Sequence, residues 1–247
     1  MTEMKFGAPD DAPATLPRTL HGQLYLLAHD RHRGRLDLQR LWLLGFCLRA
    51  AMLTDLYLTG HLRDVEGKAH VCGSARHGDP LLNEVLRMVE ENEPTTWATL
   101  IAAGQDNAPA MVSHQLTGHR WLRRRTYRKL GMFPATRLWL GNEDLVADLA
   151  VRVETALGNS VVGRPTDERL LALGRIGVLG ELPTVSSAVE RARDTPGLRA
   201  TTDEDIAPIK ALAEAVESVY AELAARSGGG NAVFGNGGCG GGCGCGG

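Results

Sequence analysis

Residues 36–60 read LDLQRLWLLGFCLRAAMLTDLYLTG, and Leu41, Leu44, Leu48, Met52 and Leu56 recur in them at helical intervals. That spacing lays the five side chains along one stripe of an α-helix, and Gly60 stands just past the end, where a helix stops easily. The stretch is far too long for a strand, so the most apolar segment of the chain is a helix and the fold is built around it. It is not a membrane span. Arg49 interrupts it, and no apolar run in the chain reaches the roughly 18 residues that crossing a bilayer requires.

The segments on either side read the same way. Asp79-Pro80 supplies a cap and a first-turn proline for a helix that carries Leu82, Leu86 and Val89 on one face. Asn142 caps another, with Glu143 and Asp144 in its acidic first turn and Gly158 expected past its end. Residues 170–179 form a buried-looking helix, and 205–225 an amphipathic last one. Two hairpins stand between: residues 61–71 turning at Glu66-Gly67, and 121–140 turning around Gly131 and Pro134. The expected fold class is mainly α, a single globular helical domain with one or two β-hairpins.

The chain has 247 residues, 43% hydrophobic and 23% charged, which is enough for one substantial core. A net charge of −2 argues against wholesale coating of nucleic acid. Residues 1–19, polar and proline-rich at first, read as a flexible arm, residues 20–226 as the domain, and 227–247 as a disordered Gly/Cys-rich tail. Twelve of the last twenty residues are glycine, which cannot bury enough surface to offset ordering. No basic start followed by an apolar stretch is visible, so a cytoplasmic protein is expected. Cys47 and Cys72 lie in the body while Cys239, Cys243 and Cys245 crowd the tail, a distribution unlike a disulfide scaffold. Only Lys5, Lys68, Lys129 and Lys210 among the 27 basic residues are lysine, a bias that resembles GC-rich bacterial coding.

Catalytic patterns are missing. Gly60, Gly67 and Lys68 have the wrong spacing for a phosphate loop, and Ala69 stands where a Mg-binding hydroxyl is needed. Gly174, Gly177 and Gly180 do not make a dinucleotide fingerprint; small residues at that spacing let two helices approach. No metalloprotease helix or serine elbow occurs. His29, Asp30 and His32 read as a solvated loop. The three tail thiols fall one short of the four ligands of structural zinc. The expectation is no enzyme, no cofactor and no metal.

One segment carries positive signal. Residues 120–129 hold Arg120, Arg123, Arg124, Arg125, Arg128 and Lys129, no acidic residue, and the aromatics Trp121 and Tyr127. Leu130, Met132 and Phe133 follow in the turn. A basic hairpin with an apolar tip suits an anionic membrane surface, where each basic residue is worth about 1 kcal/mol. A solvated strand with its aromatics in the core fits equally well. A helix followed by an Arg-rich hairpin also matches a winged-helix module, but residues 109–117 contain no Arg or Lys to read bases, so no specific nucleic acid is expected.

Four motifs, in order, carry a family resemblance. Leu24-Tyr25-Leu26-Leu27-Ala28-His29-Asp30 with Gly34 comes first. Leu48-Arg49-Ala50-Ala51-Met52-Leu53 with Asp55-Leu56 and Gly60-His61-Leu62 is second. Asp79-Pro80-Leu81-Leu82-Asn83-Glu84-Val85-Leu86 and Arg169-Leu170-Leu171-Ala172-Leu173 complete the set. Together they resemble the Golgi phosphoprotein 3 family over residues 20–225, and many actinobacterial proteins look like this. The resemblance implies a helical domain with a projecting hairpin. It also implies peripheral binding of phosphatidylinositol 4-phosphate, adaptor contacts with protein clients, self-association into a homo-oligomer, and no enzymatic activity. Arg49 matches the family's headgroup arginine. Trp42 is the nearest candidate for its tryptophan, two residues, or about 200° of helix, from the ungapped position at Arg40. The family's arginine pair has no counterpart in Gln105–Gln115. On this reading Arg49 and Trp42 contact a headgroup. Arg123, Arg124, Arg125, Arg128 and Lys129 supply field, and Leu130, Met132 and Phe133 insert. The alternatives are a soluble protein-interaction module and a nonspecific nucleic-acid binder.

Overall fold

The computed structural model describes residues 13–29, 41–73, 76–92, 94–129, 133–161, 164–180, 182 and 206–228. In chain order these form α1 (Leu20–Ala28), α2 (Leu41–Leu58), β1 (Leu62–Val65), β2 (Lys68–Val71) and α3 (Pro80–Asn92). There follow β3 (Thr95–Thr96), α4 (Trp97–Ala102), α5 (Ala108–Gly118), β4 (Leu122–Lys129), β5 (Phe133–Leu140), α6 (Glu143–Val161), α7 (Glu168–Leu179) and α8 (Ala207–Gly228). The fold class is mainly α with two small antiparallel sheets, as the sequence indicates.

Helix α2 is the axis of the molecule. Helices α1, α3, α4, α5, α7 and α8 all pack on it. Leu44, Leu48, Met52 and Leu56 are buried, but so are Leu43, Cys47, Ala50, Ala51 and Leu53. The single stripe expected from the periodicity is therefore too narrow a description: a helix enclosed on every side is apolar on every side. Burial pushes the Cys47 thiol up to about 12, leaving it an inert packing group.

The helix starts follow local chemistry. Asp79 Oδ1 accepts from the N–H groups of Leu81 and Leu82 at 2.9 and 3.2 Å, and Asn142 Oδ1 from that of Leu145 at 3.2 Å. Gly158 does not end its helix. It lies inside α6, with open space where a side chain would be, and so loses only helix propensity. Gly174 in α7 and Gly180 just past its end do bring helices together: a Cβ on Gly174 would stand 2.8 Å from Leu157 of α6, and one on Gly180 2.8 Å from the sulfur of Cys47 in α2.

Glu66 and Gly67 turn the first hairpin with φ of 53° and 78°, the left-handed pair that suits a two-residue hairpin turn. Strand β3 joins it to give the order β1-β2-β3, and Trp97 Nε1 donates to Asp64 Oδ1 at 2.5 Å. His29 is buried at the end of α1 and not solvated as expected; its neighbours Asp30 and His32 lie outside the described residues. Of the expected arm, residues 13–19 lie along the body, where the Thr15 carbonyl accepts from Trp121 Nε1 at 2.9 Å and that of Arg18 from Arg169 Nη2 at 2.8 Å. Helix α8 runs to Gly228, two residues past the expected boundary, and Cys239, Cys243 and Cys245 lie outside the described residues.

Candidate functional site

Helix α5 ends at Gly118, and Arg120 turns the chain with φ of 62° into the second hairpin. Strands β4 and β5 pair over eight residues each, from Leu122 against Leu140 to Lys129 against Phe133. At about 3.3 Å per residue each strand is roughly 26 Å long. The base is anchored in apolar packing: Leu122 and Leu140 are buried, Leu138 is half-buried against the core, and β4 packs on α5. The hydrogen bonds from Trp121 Nε1 to Thr15 and from the Gly141 N–H to the Trp121 carbonyl clamp this end.

Strand alternation sorts the basic residues into two sets. Arg124 and Arg128 share the face of Leu122 and Leu138, the one that packs inward at the base. Arg123, Arg125 and Lys129 share the other, with Tyr127, and across the ladder stand Trp139, Arg137 and Phe133. Arg137, directly opposite Arg125, was absent from the sequence-based set. Reflecting the chain about Gly131 would have found it. Arg124 and Arg137 are exposed, while Arg123 is half-buried with Nη2 unpartnered among the described residues. The side chains of Arg125, Arg128, Lys129 and Phe133 lie outside the described set, as do residues Leu130 and Met132 entirely.

Arg49 belongs to a different place. It is 7% exposed on α2, and its Nη2 donates to the Leu100 carbonyl at 3.1 Å with Met88 Sδ at 3.5 Å. Burial lowers its pKa to about 10, which still leaves it a cation at neutral pH. Its Nε–H is buried without a partner among the described residues, and so is Gln105 Oε1 in the adjacent 103–107 segment. That segment lies tight on α2: a Cβ on Gly45 would collide with the Gln105 carbonyl, and one on Gly104 would stand 4.0 Å from the Arg49 guanidinium carbon. Helix α5 packs on both α2 and β4, but no hydrogen bond or ion pair links Arg49 to the hairpin among the described residues. Trp42 sits in the first turn of α2, its side chain outside the described set.

No helix among the described residues is long and apolar enough to cross a membrane, and no group of three metal-ligating side chains occurs among them. No curated protein matches the chain. The family model described as Golgi phosphoprotein 3 (GPP34) matches residues 20–223, which span α1 to most of α8 and include both Arg49 and the basic hairpin. The chain belongs to the Golgi phosphoprotein 3 family.

Proposed function

We propose that the protein attaches peripherally to membranes rich in anionic phospholipid, with the β4–β5 hairpin as the attaching device. The observation that carries this reading is the hairpin register, which gathers Arg123, Arg125, Lys129 and Arg137 on one face, interleaved with Tyr127, Trp139 and Phe133. Basic side chains near an anionic surface contribute about 1 kcal/mol each, and each buried apolar tip residue about 1.5–3 kcal/mol before ordering costs. A few of each give reversible, micromolar attachment. Self-association, a family expectation, would multiply that through avidity. Protein clients would then be met at the membrane surface.

Phosphatidylinositol 4-phosphate is the headgroup that family membership suggests, and Arg49, whose Nε–H has no partner among the described residues, is its candidate contact. The 103–107 segment beside Arg49 adds Asp106 and no cation, so a phosphate monoester would lack charge-assisted donors there. Surface charge, rather than inositol identity, is the proposed determinant.

Liposome co-sedimentation tests both parts. Vesicles of neutral phosphatidylcholine are compared with vesicles containing phosphatidylserine, and with charge-matched vesicles containing phosphatidylinositol 4-phosphate. Binding should need anionic lipid, be similar for the two anionic compositions, and fall in both Arg124→Glu/Arg125→Glu and Met132→Ser/Phe133→Ser. A large preference for the phosphoinositide would refute the selectivity reading. Absence of binding to every vesicle would refute the membrane role and leave a protein-interaction module.

A further inference from the structure

At the base of the hairpin, away from Arg49, the ends of five helices leave a cleft of about 850 Å³. The residues before α1, the end of α2, the start of α3, the end of α5 and the start of α7 all face it, a consequence of α2 being enclosed along its length. Its size is in the range of small-molecule sites.

The polar inventory of the cleft is unbalanced. Its two carboxylates are already spent inside the protein. Asp55 accepts from the Leu20 N–H at 2.8 Å and pairs with Arg169 Nη1 at 2.7 Å. Asp79 accepts from Leu81 and Leu82 N–H through one oxygen and from Gln115 Nε2 at 2.6 Å through the other. The donors are not spent. Arg18 is exposed, and its guanidinium has no partner among the described residues. His77 Nδ1 accepts from the Asp79 N–H at 3.0 Å, so the neutral ring carries its proton on Nε2 as a further donor. The His119 ring lies 5.2 Å from that of Trp121 at the cleft wall.

Thr15, Thr19 and Thr59 also line the cleft, and its apolar surface comes from Leu16, Pro17, Pro80, Leu116 and Trp121. A second hollow of about 540 Å³ shares Pro80, Gln115 and His119 with the first and continues over Leu81 to the exposed Met111. Surplus donors at one end and a greasy channel leading from them describe a ligand with an anionic head and an apolar body. A guanidinium fork matches a carboxylate in shape as well as charge.

We propose that this cleft binds an amphipathic organic monoanion, a carboxylate on an apolar body, with Arg18 as the head contact and the Pro80–Met111 shelf as the tail contact. Both acyl and aryl bodies have this chemistry. The site touches the hairpin only through Trp121 at its base, and it stands or falls without the membrane reading.

The full-length protein is titrated with octanoate, 3-phenylpropionate, acetate and octanol, with the indole N–H resonance of Trp121 observed by NMR and assigned through Trp121→Phe. Octanoate or 3-phenylpropionate should bind at least about tenfold tighter than both acetate and octanol, and the tighter of the two identifies the body as acyl or aryl. Arg18→Gln should abolish this preference without changing the melting temperature, because its guanidinium is exposed and has no partner among the described residues. Arg124→Glu/Arg125→Glu should leave it intact, which separates the site from generic attraction to the hairpin. Octanol binding as well as octanoate, binding that survives Arg18→Gln, or no response to any probe at about 10 mM would each overturn the proposal.

Discussion

Arg169 Nη1 lies 2.7 Å from Asp55 Oδ1, pairing a guanidinium 36% exposed with a carboxylate 2% exposed. The Leu20 N–H holds the other carboxylate oxygen at 2.8 Å, so one aspartate ties α1, α2 and α7 together. The unequal exposure decides which loss matters more. Without Arg169 the carboxylate is a buried charge with a single donor; without Asp55 the guanidinium is still reachable by water. Arg169→Met should therefore cost about 3 kcal/mol and Asp55→Asn about 1–2 kcal/mol. Urea unfolding of both, and of the double variant, checks this: the double should be more stable than Arg169→Met alone. Equal single costs would mean that water reaches the carboxylate.

Gly174 has its own partner in Leu157. An added Cβ would meet the leucine side chain at 2.8 Å, closer than real Cβ atoms approach, and Leu157 is itself buried at the α6–α7 contact. Gly174→Ala should destabilise by about 1–3 kcal/mol through overpacking. In a Leu157→Ala background the clash is gone, and the same change should be near neutral or favourable, since alanine is the better helix former. Thermal unfolding of the four proteins in this cycle measures the coupling. Additive costs would show that α7 shifts as a whole to relieve the contact.

Much of this architecture is written in local sequence. The starts of α3 and α6 are legible because a capping side chain bonds its own neighbours, as Asp79 and Asn142 do, and the first hairpin because Glu66-Gly67 turns by itself. Helix α1 is hidden because Leu20, His21, Gly22, Leu24, Tyr25, Leu26 and Leu27 are all buried, and a helix without an exposed face has no period to read. Helix α4 has six residues and β3 two, and their existence depends on tertiary contacts. The basic hairpin is visible as a charge run, but its division into two faces, and Arg137 with it, emerges only from the register. The cleft is invisible in sequence because Arg18, Asp55, Asp79, Gln115 and Arg169 come from five separated segments.

His21 is fully buried and donates its Nε2–H to Gln115 Oε1 at 3.1 Å, while Gln115 Nε2 donates to Asp79. That polarity leaves Nδ1 without a partner among the described residues. Burial lowers the pKa below 6.5, only partly offset by Asp79, Gln115 and Asp55, with His77 acting in the same direction as burial. A lowered value means that the unfolded chain takes up the proton first. The contribution is complete above 6.5 and is lost as pH falls below it toward the folded value. The slope is at most one proton, about 1.4 kcal/mol per pH unit. His21→Gln keeps a donor toward Gln115 and removes the titration, so its stability should fall less between about pH 6.5 and about pH 5. Urea midpoints across that window would decide it, and parallel curves for the two proteins would exclude His21 as a source of acid sensitivity.

Arg125 and Arg137 face each other as register partners on the hairpin, and like charges directly opposed across two strands are mutually destabilising. Arg137→Glu replaces the like-charge register pair with an opposite-charge one at an exposed position, so the melting temperature should change by no more than a few degrees. For an attaching device the same change removes one attraction and adds one repulsion, about 2 kcal/mol, so affinity for phosphatidylserine vesicles should fall about thirtyfold. Arg137→Gln should fall between, and raising the salt should shrink all three differences together as the surface field is screened. A large fall in vesicle affinity without a comparable fall in melting temperature would assign Arg137 to the lipid-facing side of the hairpin. A variant that melts higher and still sediments with anionic vesicles as wild type does would show that this face of the hairpin is turned away from the lipid.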